Sequence, residues 1–423
     1  MPNLYDLYEK YTNRGPYYKS IDSLPLDGPA RHPVRYLAYY LPQFHEIPEN
    51  NEWWGAGFTE WTNTTKAIPR YVGHYQPRLP EALGFYNLTD VSVIKRQIEI
   101  AKRGGIFGFC IHHYWFSGRQ ILESPLQTIL SNIDIDIPFC LNWANESWSR
   151  RWDSSEDDIL LEQKYADGDQ EAYVECFASA FRDPRYIRID GRPILMIYRP
   201  KIIPDLATWL ERWRDHFDRL NLGDPYLVMP QAFGEFDPRD FGMDAAAGFP
   251  PHGGGWDLPT INDELKLLDA KFKGVVRSYS ALADICTANK PREFRLFPGV
   301  CPQWDNEARK PRKGVGFHGG TPEKYGKWLR QASEFALRAP NEHERIVFIN
   351  AWNEWAEGAY LEPDRHFGCA YLAETRKVLD GLNDYVVDSA HESDHHDDLA
   401  RAPARKSRSI GKLIRAALGT SRK

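Results

Sequence analysis

Two glutamates stand three residues apart near the end of the chain, in the stretch NAWNEWAEG at residues 350–358. Side chains at positions i and i+3 of a helical turn have Cβ atoms about 5–6 Å apart. Enzymes that cleave glycosidic bonds with retention hold two carboxyl groups roughly 5–5.5 Å apart. Glu354 and Glu357 therefore have the spacing of a catalytic pair, and the flanking Trp352 and Trp355 can raise one carboxyl pKa by desolvation.

Other interpretations of these carboxylates stay open. Glu354 is also compatible with a core carboxylate bonded to backbone amides or to an arginine, and Glu357 with a structural turn before Gly358. Glu146, in the stretch NWANESW, is a rival catalytic carboxylate, although a substrate-binding or supporting role suits it better.

Short apolar runs alternate with helical patterns along most of the chain. Apolar strands separated by helices indicate a parallel sheet covered on both faces. Eight or nine such units in about 350 residues favour a (β/α)₈ barrel over an open sheet, and no G-x-G-x-x-G follows an early strand, which disfavours a nucleotide-binding Rossmann fold. The predicted strands are 34–40, 106–115, 137–143, 193–198, 226–230, 244–249, 274–280, 295–300 and 345–350, and the predicted helices are 91–105, 171–183, 206–220 and 322–338.

In such a barrel, residues just past the C-terminal strand ends converge on one mouth. Strand alternation sends one of His112 and His113 inward and the other toward a helix. These two and His45 suit hydrogen bonding or packing better than metal binding, and Trp61 suits core packing and sugar stacking equally. The candidate substrate-binding residues are Tyr40, Gln43, His45, Trp61, His112, His113, Tyr114, Asn142, Trp143, Asn145, Glu146, Arg199, Gln231, Trp304, Asp305, Trp352, Asn353 and Trp355.

The residue types at these strand ends favour carbohydrate as the ligand. The chain has 14 Trp, 22 Tyr and 21 Phe, and aromatic rings stack on the C–H faces of sugars while amides and carboxylates hold hydroxyl groups. A G-x-S-x-G motif is absent from the sequence, which disfavours a serine hydrolase. The one H-E-x-x-H match, HESDH at 391–395, lies in the His- and Asp-rich stretch HESDHHDD near the end of the chain, which lacks the scaffold of a zinc protease site. We therefore expect an oligosaccharide or polysaccharide substrate, with neither a metal nor a cofactor.

Charge and cysteine usage set the expected surroundings of the protein. The formal net charge of −6 arises despite eight basic and no acidic residues in 401–423, so the rest of the chain is acidic and unsuited to nucleic-acid binding. The six cysteines are scattered, as buried reduced thiols usually are. With no signal-like N-terminal pattern and no membrane-length apolar run, we expect a cytoplasmic protein.

The sequence predicts one large domain with two flanking segments. Residues 1–33 are expected to be an irregular lead-in, residues 34–387 the barrel, and residues 388–423 a non-globular tail that is first acidic and then basic. A disordered, solubilising tail is the simpler interpretation. The alternative is a basic amphipathic segment that contacts an anionic membrane, such as the inner membrane, or a partner.

Four motifs in order resemble the WbsX-type, glycoside hydrolase family 99-like domain: YLAYYLPQFHEIPENNEWWGAGFTEWTN, GFCIHHYWFSGRQILESP, PFCLNWANESWSRRWD and NAWNEWAEGAYLEPD. The resemblance covers roughly residues 33–385. It implies a barrel related to the family 99 endo-α-mannosidases, and an association with bacterial O-antigen and other surface polysaccharides.

The resemblance also implies distinct roles for the glutamate pair. In family 99 the first glutamate of an E-x-x-E-G motif deprotonates the sugar 2-hydroxyl to give a 1,2-anhydro intermediate, and the second is the acid and then the base. Glu354, Glu357 and Gly358 match that motif. The residue before Glu354 departs from family 99, so the sugar need not be mannose. Glycosyl transfer in lipopolysaccharide synthesis and non-catalytic glycan binding remain the alternatives.

Overall fold

In a computed structural model of the chain, which describes residues 3–150, 155–287 and 293–393, eight parallel strands form a barrel. Each strand pairs with the next, and the first pairs with the last, Ala38 lying beside Ile349. The strands are β1 (Arg35–Tyr40), β2 (Gly108–Phe116), β3 (Phe139–Trp143), β4 (Arg192–Ile197), β5 (Tyr226–Gln231), β6 (Ala245–Gly248), β7 (Arg295–Phe297 and Gly299–Val300) and β8 (Ile346–Ile349).

Strand β7 closes the barrel although Pro298 interrupts it. Its first segment pairs with β6 and its second with β8. Proline has no N–H to donate to a neighbouring strand, but the Pro298 carbonyl still accepts from the Phe348 N–H at 2.9 Å. The structure thus confirms the predicted (β/α)₈ barrel.

Helices separate most successive strands and cover the barrel. An α-helix follows every barrel strand except β5, which is joined to β6 by a short 3₁₀ helix, Pro238–Phe241. The helices are α1 (Leu4–Thr12), α2 (Pro48–Trp54), α3 (Glu60–Thr64), α4 (Val91–Arg103), α5 (Ser124–Ser131), α6 (Asp169–Arg182), α7 (Leu206–Arg219), α8 (Tyr279–Thr287), α9 (Pro322–Leu337) and α10 (Ala370–Ser393). Further 3₁₀ helices span Ile21–Ser23, Pro200–Ile202, Gly255–Asp257, Asn262–Glu264, Glu342–Glu344 and Trp355–Glu357.

Two parts of the chain differ from the predicted secondary structure. The lead-in contains α1, because the Asn3 side chain and the Asp6 side chain form a reciprocal capping box at its first turn. The predicted strand 274–280 lies outside the barrel: Val275–Ser278 pairs with Val315–His318 in a separate two-stranded sheet and is only partly buried.

Six short strands form four antiparallel pairings around the barrel in the described part of the chain. Arg119–Ile121 pairs with β2, Arg188–Ile189 with β4, Trp148–Arg150 with Ser155–Leu161, and Asn353–Glu354 with Ala359–Tyr360, all antiparallel.

The chain divides into a compact unit of residues 1–383 and a second unit of residues 384–423. The tail predicted from residue 388 stays a prediction, because residues 394–423 lie outside the described residues. None of the helices in the described part of the chain is long and apolar enough to cross a bilayer. All six cysteines are free thiols, four of them buried.

Candidate active site

A cavity of about 380 Å³ opens at the C-terminal mouth of the barrel, with Glu354 and Glu357 in its wall. This is the end of the barrel at which the loops after the strands meet. The chain leaves β8 through a cis peptide bond between Asn350 and Ala351. It then forms the short antiparallel pairing that includes Glu354 and a 3₁₀ turn over Trp355–Glu357.

The glycine after Glu357 is required by the turn. Gly358 has φ +62°, in the left-handed region that favours glycine. A Cβ at this position would lie 2.8 Å from Nε of the buried Arg78. The conformation and the close approach of Arg78 both explain why glycine ends the glutamate motif.

Both glutamates bind the same arginine. Arg309 donates from Nη2 to Oε1 of Glu354 at 2.7 Å and from Nη1 to Oε1 of Glu357 at 2.6 Å. Because both carboxyl groups bind one guanidinium, the distance between them is limited by the width of that group and two hydrogen bonds. This distance is below roughly 10 Å, beyond which two carboxyl groups are too far apart to cleave one glycosidic bond. The arginine that the sequence left open as a partner of Glu354 is present, yet both carboxyl groups still line the cavity.

Burial and mutual repulsion favour the protonated form of this pair. Burial raises the pKa of Glu354 well above its usual range, and the charges of Glu357 and Glu60 add to this effect, while Arg309 opposes it. Burial also raises the pKa of Glu357, again opposed by Arg309 and assisted by Glu60. Two carboxyl groups that share one cation in a desolvated site are suited to carry one proton between them, as an acid and a base require.

Aromatic rings form two groups on the cavity wall. Trp54 and Trp148 follow β1 and β3, whereas Trp256 and Trp304 follow β6 and β7. Both groups line the same cavity as Glu354 and Glu357. The rings of Trp256 and Trp304 contact edge to face, with centroids 5.9 Å apart. A sugar chain in the cavity thus meets aromatic surface as well as the carboxylates.

Two histidines in the cavity wall are neutral at neutral pH. Burial lowers the pKa of His252 to about 4, and burial together with the charge of Arg309 lowers that of His112 to about 4. Neutral imidazoles both donate and accept hydrogen bonds, which suits sugar hydroxyl groups.

Residues 36–375 match the protein family described as Glycosyltransferase WbsX. The chain belongs to the WbsX family. This confirms the resemblance carried by the four sequence motifs.

Relatives of this WbsX-family chain include a protein described as Uncharacterized protein WxcX, found in two strains of Xanthomonas campestris pv. campestris. The identity is 42% over 357 residues, covering 84% of this chain and 51% of the relative. The chain therefore spans about half the length of the curated relatives it matches.

Solved structures with a similar fold include a glycoside hydrolase-like protein, with a TM-score of 0.53 at 12% identity over 85% of this chain and 99% of the other. A GH99 endo-alpha-mannosidase from Bacteroides thetaiotaomicron in complex with Bis-Tris-propane has a TM-score of 0.51 at 14% identity, covering 84% of this chain and 98% of that one. At these identities the similarity shows a shared barrel fold.

Part of the predicted site set comes together in the WbsX-family chain. Gln43 donates from Nε2 to the hydroxyl oxygen of Tyr114 at 2.8 Å, which orients both side chains. Glu146 forms a half-buried ion pair with Arg199 at 3.2 Å. The predicted residues that line the cavity are Gln43, His112, Tyr114, Glu146, Trp304, Glu354 and Glu357.

Three predicted residues lie on the outer face of the barrel, because neighbouring positions on a strand point to opposite faces. The Tyr40 hydroxyl donates to Gln97 on α4 at 2.9 Å. His113 hydrogen-bonds to Tyr173 on α6 at 2.7 Å, while His112 points inward. Trp143 is fully buried against the helix layer. The structure thus places Tyr40, His113 and Trp143 away from the cavity.

Three others support the loops at the mouth. Asn145 accepts from the Arg199 N–H at 2.8 Å and donates to the Arg199 carbonyl at 2.9 Å. Asn353 makes the same pair of bonds with Leu41, at 2.7 and 2.9 Å. Neither Asn145, Arg199 nor Asn353 lines the cavity, and their bonds hold the ends of β1, β3, β4 and β8 together.

The predicted tryptophans 61, 352 and 355 pack in the core behind the carboxylates. The Trp61 and Trp355 rings lie 5.5 Å apart, and Trp352 packs 5.4 Å from Phe109. Core packing, one of the two interpretations of Trp61, is what the structure shows. Trp352 and Trp355 supply the apolar surroundings expected of them without touching the cavity.

The remaining predicted residues are also engaged elsewhere. Asp305 pairs with His74 at 2.5 Å, and its N–H donates to the Glu357 carbonyl at 2.7 Å, so it supports the turn that carries Glu357. Gln231 donates to the Phe236 carbonyl, Asn142 contacts the His112 ring, and His45 is buried.

The predicted set lacks several residues that the structure places at the site. Arg309 follows Trp304 by five residues in the stretch WDNEARK, and an arginine in a polar loop carries no local signal of its partner. Tyr39, rather than Tyr40, is the inward residue at the end of β1. His252 and Trp256 come from the loop that contains HGGG, and the aromatic residues next to that stretch could have indicated a place in the site.

Proposed function

We propose that this chain acts on α-linked sugars through Glu354 and Glu357, as a retaining, endo-acting glycosidase of bacterial surface polysaccharide or its precursors. The observation that carries the proposal is the placement of two half-buried carboxyl groups on one guanidinium, in the wall of an aromatic-lined cavity at the barrel mouth. The barrel shared with an endo-alpha-mannosidase supports it at the level of fold.

The proposed reaction has two steps. Glu354 accepts the proton of the sugar 2-hydroxyl while that oxygen attacks C1, and Glu357 donates its proton to the departing glycosidic oxygen. The product is a 1,2-anhydro sugar and a free hydroxyl on the leaving chain. Water then attacks C1 and gives its proton to Glu357, and Glu354 returns its proton to O2. Both carboxyl groups end in their starting states, and two inversions give retention.

Transfer is the second candidate, and the family description favours it. The same intermediate opens to a sugar hydroxyl as well as to water, and the aromatic rings in the cavity wall offer surface on which an acceptor sugar can stack. In that case the product is a rearranged glycan of unchanged total length. A sugar-nucleotide donor would need a binding site for a diphosphate in addition.

Product analysis tests the proposal. Oligosaccharides prepared from bacterial O-antigens are incubated with the full chain in ¹⁸O-labelled water and followed by mass spectrometry. Shortened products that carry one ¹⁸O at the reducing end indicate hydrolysis, and redistributed chain lengths without the label indicate transfer. We expect Glu357→Gln to abolish either product. Binding without any product across these glycans would favour a non-catalytic glycan-binding role.

A further inference from the structure

A third carboxylate, Glu60, lies behind the catalytic pair with no exposure to solvent. Its Oε2 is 3.3 Å from Nη2 of Arg309, the same nitrogen that donates to Glu354. Its Oε1 accepts a weak hydrogen bond of 3.4 Å from Asn63. Glu60 does not line the cavity, so the sugar cannot be its partner.

The backbone around Glu60 is fixed in place. The Glu60 N–H donates to the Gln43 carbonyl at 3.2 Å, and Glu60 begins α3, which packs against the catalytic turn through the rings of Trp61 and Trp355. The Trp61 ring N–H donates to the Tyr86 carbonyl at 2.8 Å. The buried carboxylate is therefore held beside Arg309 by packing on both sides.

Charge balance gives this arrangement a consequence. Arg309 faces three carboxylates, Glu60, Glu354 and Glu357. A single guanidinium neutralises only one of them, and burying uncompensated charge is costly. Protonating one member of the catalytic pair relieves part of that excess. Glu60 itself is out of reach of the substrate and of the cavity water, so its negative charge acts on the pair in every step.

We infer that Glu60 is a positioning residue that shares Arg309 with the catalytic pair and keeps one of the two catalytic carboxyl groups protonated at working pH. The inference rests on the proposed roles of Glu354 and Glu357. When Glu357 is protonated, its bond to the guanidinium weakens, and Glu60 keeps a partner for the cation, so that Arg309 stays in position while the proton is transferred.

Other ionisable groups around Arg309 and the three glutamates do not obscure this effect. Burial raises the pKa of Tyr114 and Tyr198 above the ordinary value, and His112 has a pKa of about 4, so all three are neutral near pH 7. Burial likewise raises the pKa of the Cys301 thiol. Other charged groups near Arg309 and the three glutamates, in the part of the chain that the structure describes, include Lys310, Lys66 through Asn63, Glu146 with Arg199, and Arg78 beside Gly358.

The test measures the carboxyl groups directly. The full chain is labelled with [δ-¹³C]glutamate, and the signals of the pair are assigned by their loss in Glu354→Gln and Glu357→Gln. In Glu60→Gln, which keeps the shape and removes the charge, we expect the higher of the two titrations of the pair to fall by on the order of one pH unit. The alkaline limb of the kcat/KM profile should move down with it.

The control is Glu362→Gln, which removes another buried carboxylate, one bonded to Gln97, Tyr86 and Trp355; it should leave the titration of the pair in place. Near-ultraviolet circular dichroism verifies folding. If Glu60→Gln does not fold, Glu60→Asp withdraws the charge from Arg309 and should give a smaller shift in the same direction. An unchanged titration in a folded variant overturns the inference. Since titration needs no turnover, failure of the proposed function would show separately, as activity that survives Glu357→Gln.

Discussion

Two sets of carboxylates, the half-buried pair Glu354 and Glu357 and the buried Glu362, lie within ten residues of each other and differ in their partners. Glu354 and Glu357 bind the guanidinium of Arg309 and line the cavity. Glu362 is closed off from the cavity and accepts from Trp355 Nε1 at 2.6 Å, Gln97 Nε2 at 2.6 Å and the Tyr86 hydroxyl at 2.8 Å. Burial raises the pKa of Glu362 to about 7, and these hydrogen bonds oppose the rise.

The comparison shows that carboxylates of one short segment can serve different purposes: some can exchange a proton with a ligand, and another stabilises the fold. Neutral donors satisfy Glu362 completely and leave it nothing to exchange with a substrate. Glu354 and Glu357 have a cation, a competing carboxylate and access to the cavity, so their protonation can change when a ligand binds. Substitutions should therefore have different effects: those at Glu354 and Glu357 should reduce turnover, and those at Glu362 should reduce stability.

The largest effect is expected at the pair. Glu357→Gln and Glu354→Gln each remove a proton-transfer group and should lower kcat by about 10²–10⁴-fold, the usual contribution of acid–base catalysis. Steady-state kinetics on a cleaved or transferred glycan measures this. Retained turnover in either variant would place the chemistry elsewhere, with Glu146 as the next candidate.

Glu362→Gln should act on folding. The amide brings an N–H group toward the donors of Gln97 and Trp355, so one buried donor loses its acceptor, at about 1–3 kcal/mol. Chemical denaturation monitored by tryptophan fluorescence measures the loss. Activity at a temperature where the variant is folded should stay near that of the wild type. A kcat loss matching that of Glu357→Gln would contradict the proposed difference between Glu362 and the pair.

The same residue should make stability depend on pH. Its folded-state pKa of about 7 lies above the unfolded value, so the folded state binds the proton more tightly. The stability that Glu362 contributes is then fully present below the unfolded pKa, near 4.3, and is lost as pH rises toward and through 7. Denaturation midpoints of the wild type and Glu362→Gln at several pH values should converge as the pH rises. Parallel curves would contradict the assignment.

Gly358→Ala should affect both sets, since this glycine joins the two. The left-handed conformation costs an L-residue about 1–2 kcal/mol, and the added methyl would displace Arg78. We expect a loss of stability together with a fall in kcat. As a control, Gly84→Ala also adds a methyl at positive φ but has no neighbour within 4 Å, so it should affect stability alone.

The smallest effect is expected in the aromatic wall. Trp304→Phe keeps a ring in the cavity wall but reduces the aromatic surface there. If a sugar stacks on this ring, KM should rise by roughly fivefold, equivalent to about 1 kcal/mol, with kcat unchanged. Trp328→Phe, in the buried face of α9, is the matched control and should leave KM unaltered.

The barrel and the glutamate pair were predictable from sequence because each has a local signal. Alternating apolar runs defined the strands, and the three-residue spacing defined Glu354 and Glu357. The direction in which an individual strand side chain points was harder to predict. Neighbouring strand positions point to opposite faces, so an error of one position moves a residue such as Tyr40 or Trp143 from the inside of the barrel to the outside. Arg309 comes from a loop after β7 and Glu60 from the first position of α3, and only the fold brings them to the pair.

The ratio of kcat/KM losses in Glu357→Gln and Glu362→Gln, measured on one glycan under conditions where both variants are folded, tests the central claim most directly. The account predicts a loss of at least about 10²-fold for Glu357→Gln and little change for Glu362→Gln. Equal losses in the two variants, or full turnover by Glu357→Gln, would contradict the assignment of the catalytic pair.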